Sequence, residues 1–239
     1  MIIYEIQSAY DKRGDWKHAP MNAVDAGHEV DLSRWRHHGP NFHGPFTREN
    51  WTKPYGDVWP KDGLPAEYYT KKKRVDCTQI GRFDVFSNRA IELLGDYLDK
   101  NTGEFLPVKN SERDDLWVYR CMNCIDAIDR EKSVRKKPQY SNDKDGWDSM
   151  DDEHGILQKV PIERYVFREE LIGDSVMFVL PCHHSTGTFV TDKFIERFKE
   201  KKLKGLGFLP CWSSERGALS AGHQLYPLPL YEDFSVLNF

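Results

Sequence analysis

The residues best suited to chemistry in this 239-residue chain are cysteines, histidines and clustered carboxylates. Cys121-Met122-Asn123-Cys124 is a C-x-x-C pair. Zinc needs two further ligands at sensible spacing, and a redox pair needs a helix N-terminus to lower a thiol pKa. This pair sits in an apolar, strand-like run and is read as structural. Cys182-His183-His184, and His37-His38 with His43, are the other metal-capable groups. Adjacent side chains on a strand point to opposite faces, so each His pair offers one ligand to a given site. No H-E-x-x-H and no second C-x-x-C accompanies them. The sequence therefore assigns no metal and no cofactor.

Carboxylates cluster in two places. Ser141-Asn142-Asp143-Lys144-Asp145-Gly146 resembles the start of a calcium loop. Yet Ser141 stands where the pattern wants Asp, Asp152 where it wants Glu, and Pro138 where a helix should enter. The plain reading is a solvated loop in which Asp143, Asp145, Asp148, Asp151, Asp152 and Glu153 crowd around Trp147. Carboxylates around one aromatic also suit a surface that docks into a basic cleft, because charge steers encounter and the ring anchors it. These seven residues form the candidate partner-binding set. Asp126 and Asp129, with Ser133, are the second place. At i and i+3 the aspartates share one helix face. The plainer reading is a helix start capped by Asp126, with Glu131 near the positive end of the dipole. No His or Lys at fixed spacing completes an acid–base pair. There is no G-x-S-x-G, Walker loop or G-x-G-x-x-G. No residue is assigned a catalytic role, and the chain is expected not to be an enzyme.

Composition narrows the setting of these groups. Lys+Arg number 34 against 38 Asp+Glu, for a net charge of -4 and a pI near 6.1. That balance argues against a dedicated nucleic-acid binder. The longest apolar run, from Val176 to Cys182, contains Pro181 and falls far short of the roughly 20 residues of a membrane span. The first residues read as no leader. Five scattered cysteines are not a disulfide framework, so a reducing cytoplasm is the default.

Two regions must position the candidates. Residues 11–65 hold six prolines, six glycines and Trp16, Trp35, Trp51 and Trp59. Pro and Gly at this density forbid long helices, while the indoles suit an ordered segment pinned by burial. Residues 1–80 are expected as a loop-rich subdomain and 81–239 as an α+β domain. From about residue 81 the pattern is regular. Phe83-Asp84-Val85-Phe86 reads as a strand, Ser87 as an N-cap, and Ala90, Ile91, Leu94 and Leu98 as a helix face. Phe105-Leu106-Pro107-Val108 resumes an extended run. Phe189-Val190, the cap Thr191, the helix face Phe194, Ile195, Phe198 and Leu203, then Gly205 and Phe208-Leu209-Pro210 repeat the order about 104 residues later. The spacing predicts a pseudo-symmetric pair around one sheet. Further strands are expected over Leu116 to Ile125, Tyr165 to Phe167 and Ser175 to Leu180. The fold class is α+β: a mixed or antiparallel sheet with a few capped helices and the loop-rich N-terminal part packed on it.

One ordered set of segments carries a resemblance. It runs from Val85-Phe86-Ser87-Asn88 through Phe105-Leu106-Pro107-Val108 to Ile125-Asp126-Ala127-Ile128-Asp129 with Glu131-Lys132-Ser133. It continues through Tyr165-Val166-Phe167, Phe178-Val179-Leu180 and Val190-Thr191-Asp192 to Gly205-Leu206-Gly207-Phe208. In this order the stretch from about Val85 to Trp212 resembles a family of immunity proteins from bacterial polymorphic-toxin and contact-dependent competition systems. The resemblance implies a non-enzymatic antitoxin that binds a cognate toxin domain and blocks it. It carries over no catalytic residue. Ser87, Asp126, Asp129, Ser133, Thr191 and Gly205 fall on motif positions and are read as fold-determining. A cytoplasmic bacterial antidote meets a toxin acting in the cytosol, and the acidic loop favours a nucleic-acid-targeting one with a basic cleft. The expected partner is that toxin domain, with no membrane and no direct nucleic acid. Two other readings stay open. One is a metal-dependent hydrolase using Cys182, His183, His184 and the N-terminal histidines. The other is a scaffold protein of a secretion system.

Overall fold

The computed structural model describes residues 1–8, 21–23, 59–68, 74–80, 83–99, 101–135, 162–180 and 187–219. Strict alternation governs β5 (Phe83–Ser87), β6 (Gly103–Lys109) and β7 (Leu116–Cys121). Val85, Leu106, Val108, Leu116 and Val118 join one cluster, while Phe86, Tyr119 and Cys121 join another. Because side chains alternate faces along a strand, each of these strands serves two cores. The first cluster fills a closed barrel of order β2-β3-β6-β7-β5-β4, with β2 (Met21–Ala23), β3 (Leu64–Tyr68) and β4 (Cys77–Ile80). Pairs β2–β4 and β3–β6 are parallel and the rest antiparallel. Trp59 is buried in this interior, edge-on to Phe83, and its indole N–H donates to the Pro107 carbonyl at 2.8 Å. Trp16, Trp35 and Trp51 lie outside the described residues.

A second, antiparallel sheet has the order β10-β11-β1-β12-β13. Its strands are β1 (Ile2–Ser8), β10 (Met177–Phe178), β11 (Phe189–Thr191), β12 (Leu206–Ser213) and β13 (Gly217–Ala218). Pairings cross residue 80 in both sheets: Ile3 opposes Thr191 and Trp212, and Cys77 opposes Phe86.

The repeat is real in topology. In the first unit β5, helix α1 (Asn88–Leu94) and β6 wrap the middle strand β7. In the second β11, helix α3 (Asp192–Glu200) and β12 wrap β1. Both outer strands run antiparallel to the middle one. The middle strand follows its unit in the first case and comes from the start of the chain in the second. There the Ser214 amide donates to the Met1 carbonyl at 3.0 Å, where the first unit has its β6–β7 loop. The expectation of a single sheet is corrected: the units form two sheets that face each other across one core. The apolar sides of both helices enter that shared core. Phe86, Ala90 and Leu94 of the first unit thus share a cluster with Val190, Phe194, Phe198 and Phe208 of the second. Tyr97 stacks on Phe194, and Arg197 donates to the Leu94 carbonyl at 3.1 Å.

The far face of the open sheet carries its own core of Ile3, Phe178, Phe189 and Trp212, covered by residues 125–128 and 162–172. That layer includes β8 (Val134–Arg135), β9 (Ile162–Arg164) and the one-turn helix α2 (Glu169–Ile172). The strand expected to run to Ile125 stops at Cys121, because the Met122 and Asn123 amides both turn to the Thr102 carbonyl, at 2.7 and 3.1 Å. Phe167 takes part only in a bridge to Ile128, and Val179 in one to Cys124. With sheets dominant and three α-helices and one 3-10 turn (Gly95–Tyr97) among the described residues, the α+β class holds.

Candidate interaction surface

The motif residues Asp126, Asp129 and Ser133 stand in the covering layer, and they do not lie on a helix. The expected helix start is corrected: the segment is extended, held by the Ile128–Phe167 bridge and by the Asp129 amide donating to the Val166 carbonyl at 2.8 Å. Long-range pairing satisfies the backbone groups a helix would have satisfied locally. Asp129 closes the following turn, with Oδ1 accepting from the Glu131 and Lys132 amides at 3.2 and 3.1 Å. The Lys132 ammonium, and after it those amides, hold its carboxyl below the usual range. Asp126 accepts from Arg130 at 3.0 Å, and its carbonyl accepts from Arg168 at 2.7 Å. The Ser133 hydroxyl accepts from the Val166 amide at 2.9 Å and donates to the Val166 carbonyl at 3.2 Å. The Ser133 side chain and the Asp126 and Asp129 backbones stitch 126–133 to 164–168, while the two carboxylates hold the turn between them, which is a structural role.

This stitching ends in the β8–β9 ladder, where Val134 opposes Arg164 and Arg135 opposes Ile162. The residues that flank 136–161, Arg135 and Ile162, are therefore paired with each other. Asp143, Asp145, Trp147, Asp148, Asp151, Asp152 and Glu153 lie outside the described residues, as does the calcium-like run. Beside the ladder, α2 presents Glu169 and Glu170 in its only turn; Lys132, raised chiefly by its hydrogen bond to Asp129, also feels the Glu170 charge. Leu171 is 44% exposed, the one exposed large hydrophobic side chain among the described residues. Surface, ladder and motif thus form one layer over the open sheet.

Residues 98–213 match the Immunity protein family (Imm11). The match spans just under half of the chain and supports an immunity role. No curated protein matches the chain. The Imm11 segment holds Asp126, Asp129, Ser133, Thr191 and Gly205, the ladder and α2, while Ser87 precedes it.

Within and around the Imm11 segment, the other motif residues act on the fold. Ser87 caps α1, accepting from the Ala90 amide at 3.2 Å. Thr191 occupies the cap position of α3 with extended backbone, but its side chain makes no cap hydrogen bond, which corrects the expectation. Gly205 has φ +117°, and a Cβ there would run into the Cys77 carbonyl oxygen. Cys121 is buried and its thiol is pushed up to about 12, which makes it a poor nucleophile at neutral pH. Among the described residues no three His, Cys, Asp or Glu side chains are grouped to hold a metal. Cys182, His183, His184, His37, His38 and His43 lie outside them. No helix among the described residues is long and apolar enough to cross a membrane.

Two buried carboxylates escaped the sequence reading. Glu5 is 1% exposed and Asp84 is 3% exposed. Asp84 sits in Phe83-Asp84-Val85-Phe86, whose alternation points it to the face of a strand that ordinarily meets water. The second sheet covers that face.

Proposed function

We propose that this chain is a bacterial cytoplasmic antitoxin that binds a cognate toxin domain and occludes it without catalysis. The observation that carries this reading is the Imm11 match across β6 to β12. We assign the contact to the acid-rich segment around Trp147, from Asp143 to Glu153, which lies in sequence between the paired strands β8 and β9. Glu163, Glu169 and Glu170 nearby extend the same sign of charge. Such a surface fits a toxin with a basic, nucleic-acid-binding cleft, since complementary charge raises the on-rate and fixes register. On this reading the gene for the chain is expected to stand beside a toxin gene.

The test is to express the neighbouring toxin domain in cells with and without this chain and to titrate the purified pair. Growth rescue and a stoichiometric complex are expected. Failure of both overturns the antitoxin reading, as would stoichiometric zinc with hydrolytic activity. In the complex, the triple change Asp143→Asn, Asp145→Asn and Asp148→Asn is expected to weaken binding about tenfold and to flatten its salt dependence. Rescue with unchanged affinity would remove the acidic segment from the contact while leaving the antitoxin role.

A further inference from the structure

The buried carboxyl of Asp84 lies where the barrel meets the open sheet, and it is bonded to both. Gln79, opposite it on β4, donates from Nε2 to its Oδ1 at 2.9 Å. The Thr188 hydroxyl, one residue ahead of β11, meets it from the other sheet. Thr188 is itself fixed there, since its carbonyl accepts from the Ile6 amide of β1 at 2.9 Å. The preceding Gly187 is pressed against a second buried acid: a Cβ on it would lie 2.6 Å from Glu5 Oε1. The two residues leading into β11 are thus gripped between buried carboxyls of β1 and β5.

We propose that Asp84, Gln79 and Thr188 form a proton-dependent latch that fastens the start of β11 to the barrel. With its proton in place Asp84 is neutral, and the hydroxyl and amide satisfy it inside an apolar core. Once ionised it is a buried charge, and hydrating that charge requires the two sheets to part locally. The groups around it are Gln79 and Cys77 from β4, Tyr119 and Cys121 from β7, and Thr188 from the open sheet, with the Glu5 carboxyl of β1 against the neighbouring Gly187. None of these is a cation. Burial, opposed by the Thr188 and Gln79 hydrogen bonds, pushes the Asp84 carboxyl from 3.8 up to about 6. Below about pH 4 open and closed forms are both protonated and the latch is shut. Between about 4 and 6 only the open form ionises, so opening grows as pH rises.

Hydrogen exchange of the Ile6 and Val190 amides, corrected for the intrinsic rate, tests this. Protection in the full chain is expected to fall about tenfold per pH unit between pH 4 and 6, then level off. In Asp84→Asn the fall is expected to vanish. Protection that stays flat or rises in the unaltered protein, or an equal fall in the variant, overturns the latch. Should Asp84→Asn fail to fold, the carboxyl carbon shift of Asp84 in the unaltered chain decides. A midpoint above about 5 supports the latch, and a lower one overturns it.

Discussion

Gly205 shows how much one missing methyl group sets. Its backbone sits at φ +117°, where an L side chain is strained, and its Cα faces the Cys77 carbonyl of β4. The Cys77 amide meanwhile donates to the Lys204 carbonyl at 3.0 Å. The start of β12 is therefore docked directly on the barrel, backbone against backbone. Gly205→Ala must distort that junction, and we expect a loss of about 3 kcal/mol in urea unfolding, from conformational strain plus overpacking. A loss below about 1 kcal/mol would mean that the junction relaxes freely. Gly205 was legible only as punctuation after a helical pattern; the helix itself ends at Glu200, and Lys202 at φ +54° follows it. Its docking role was not, since nothing local in Lys204-Gly205-Leu206 tells of a carbonyl 128 positions earlier in the chain. Asp84 was hidden for the same reason. A polar residue alternating with Phe and Val signals an exposed face until a second sheet arrives to cover it.

The helices were the most legible elements, since their apolar spacing and caps are local. Both α1 and α3 begin where the caps predict, after Ser87 and Thr191, but they end at Leu94 and Glu200, so Leu98 and Leu203 of the expected faces stand past the helices. The stretch Asp126 to Ser133 was misread because its aspartate spacing is also helical, while its actual partners, Val166 and Phe167, are far along the chain. Equivalent caps nevertheless differ in physics. The Ser87 hydroxyl bonds the Ala90 amide, whereas the Thr191 hydroxyl is buried with no hydrogen-bond partner among the described residues. We expect Ser87→Ala to cost about 1 kcal/mol, the usual worth of a cap. Thr191→Val, which keeps the shape and removes the hydroxyl, should be neutral or stabilising, because a buried polar atom without a partner is a penalty. Thermal unfolding of the two variants separates them; an equal loss in both would show that Thr191 caps α3 after all.

At the scale of the whole molecule the two units are closed in different ways. The first supplies its own middle strand, β7, directly after β6. The second takes β1 from the other end of the chain, so its sheet forms only when Ile2–Ser8 inserts between β11 and β12. The Imm11 match, 98–213, begins after β5 and α1 and excludes β1. It is thus a sequence unit but not a physical one. Without β1, strands β11 and β12 lose their shared partner and the cluster loses Tyr4 and Ile6; without β5 and α1 it also loses Phe86, Ala90 and Leu94. Removing several fully buried side chains at about 2–5 kcal/mol each exceeds the roughly 5–15 kcal/mol by which a domain is stable. A fragment of residues 98–213 is therefore expected to be unfolded by circular dichroism and by amide dispersion in NMR. Supplying residues 1–97 as a separate chain should restore cooperative unfolding. A folded, cooperative 98–213 monomer would refute this account, because it would mean that the open sheet closes without its central strand.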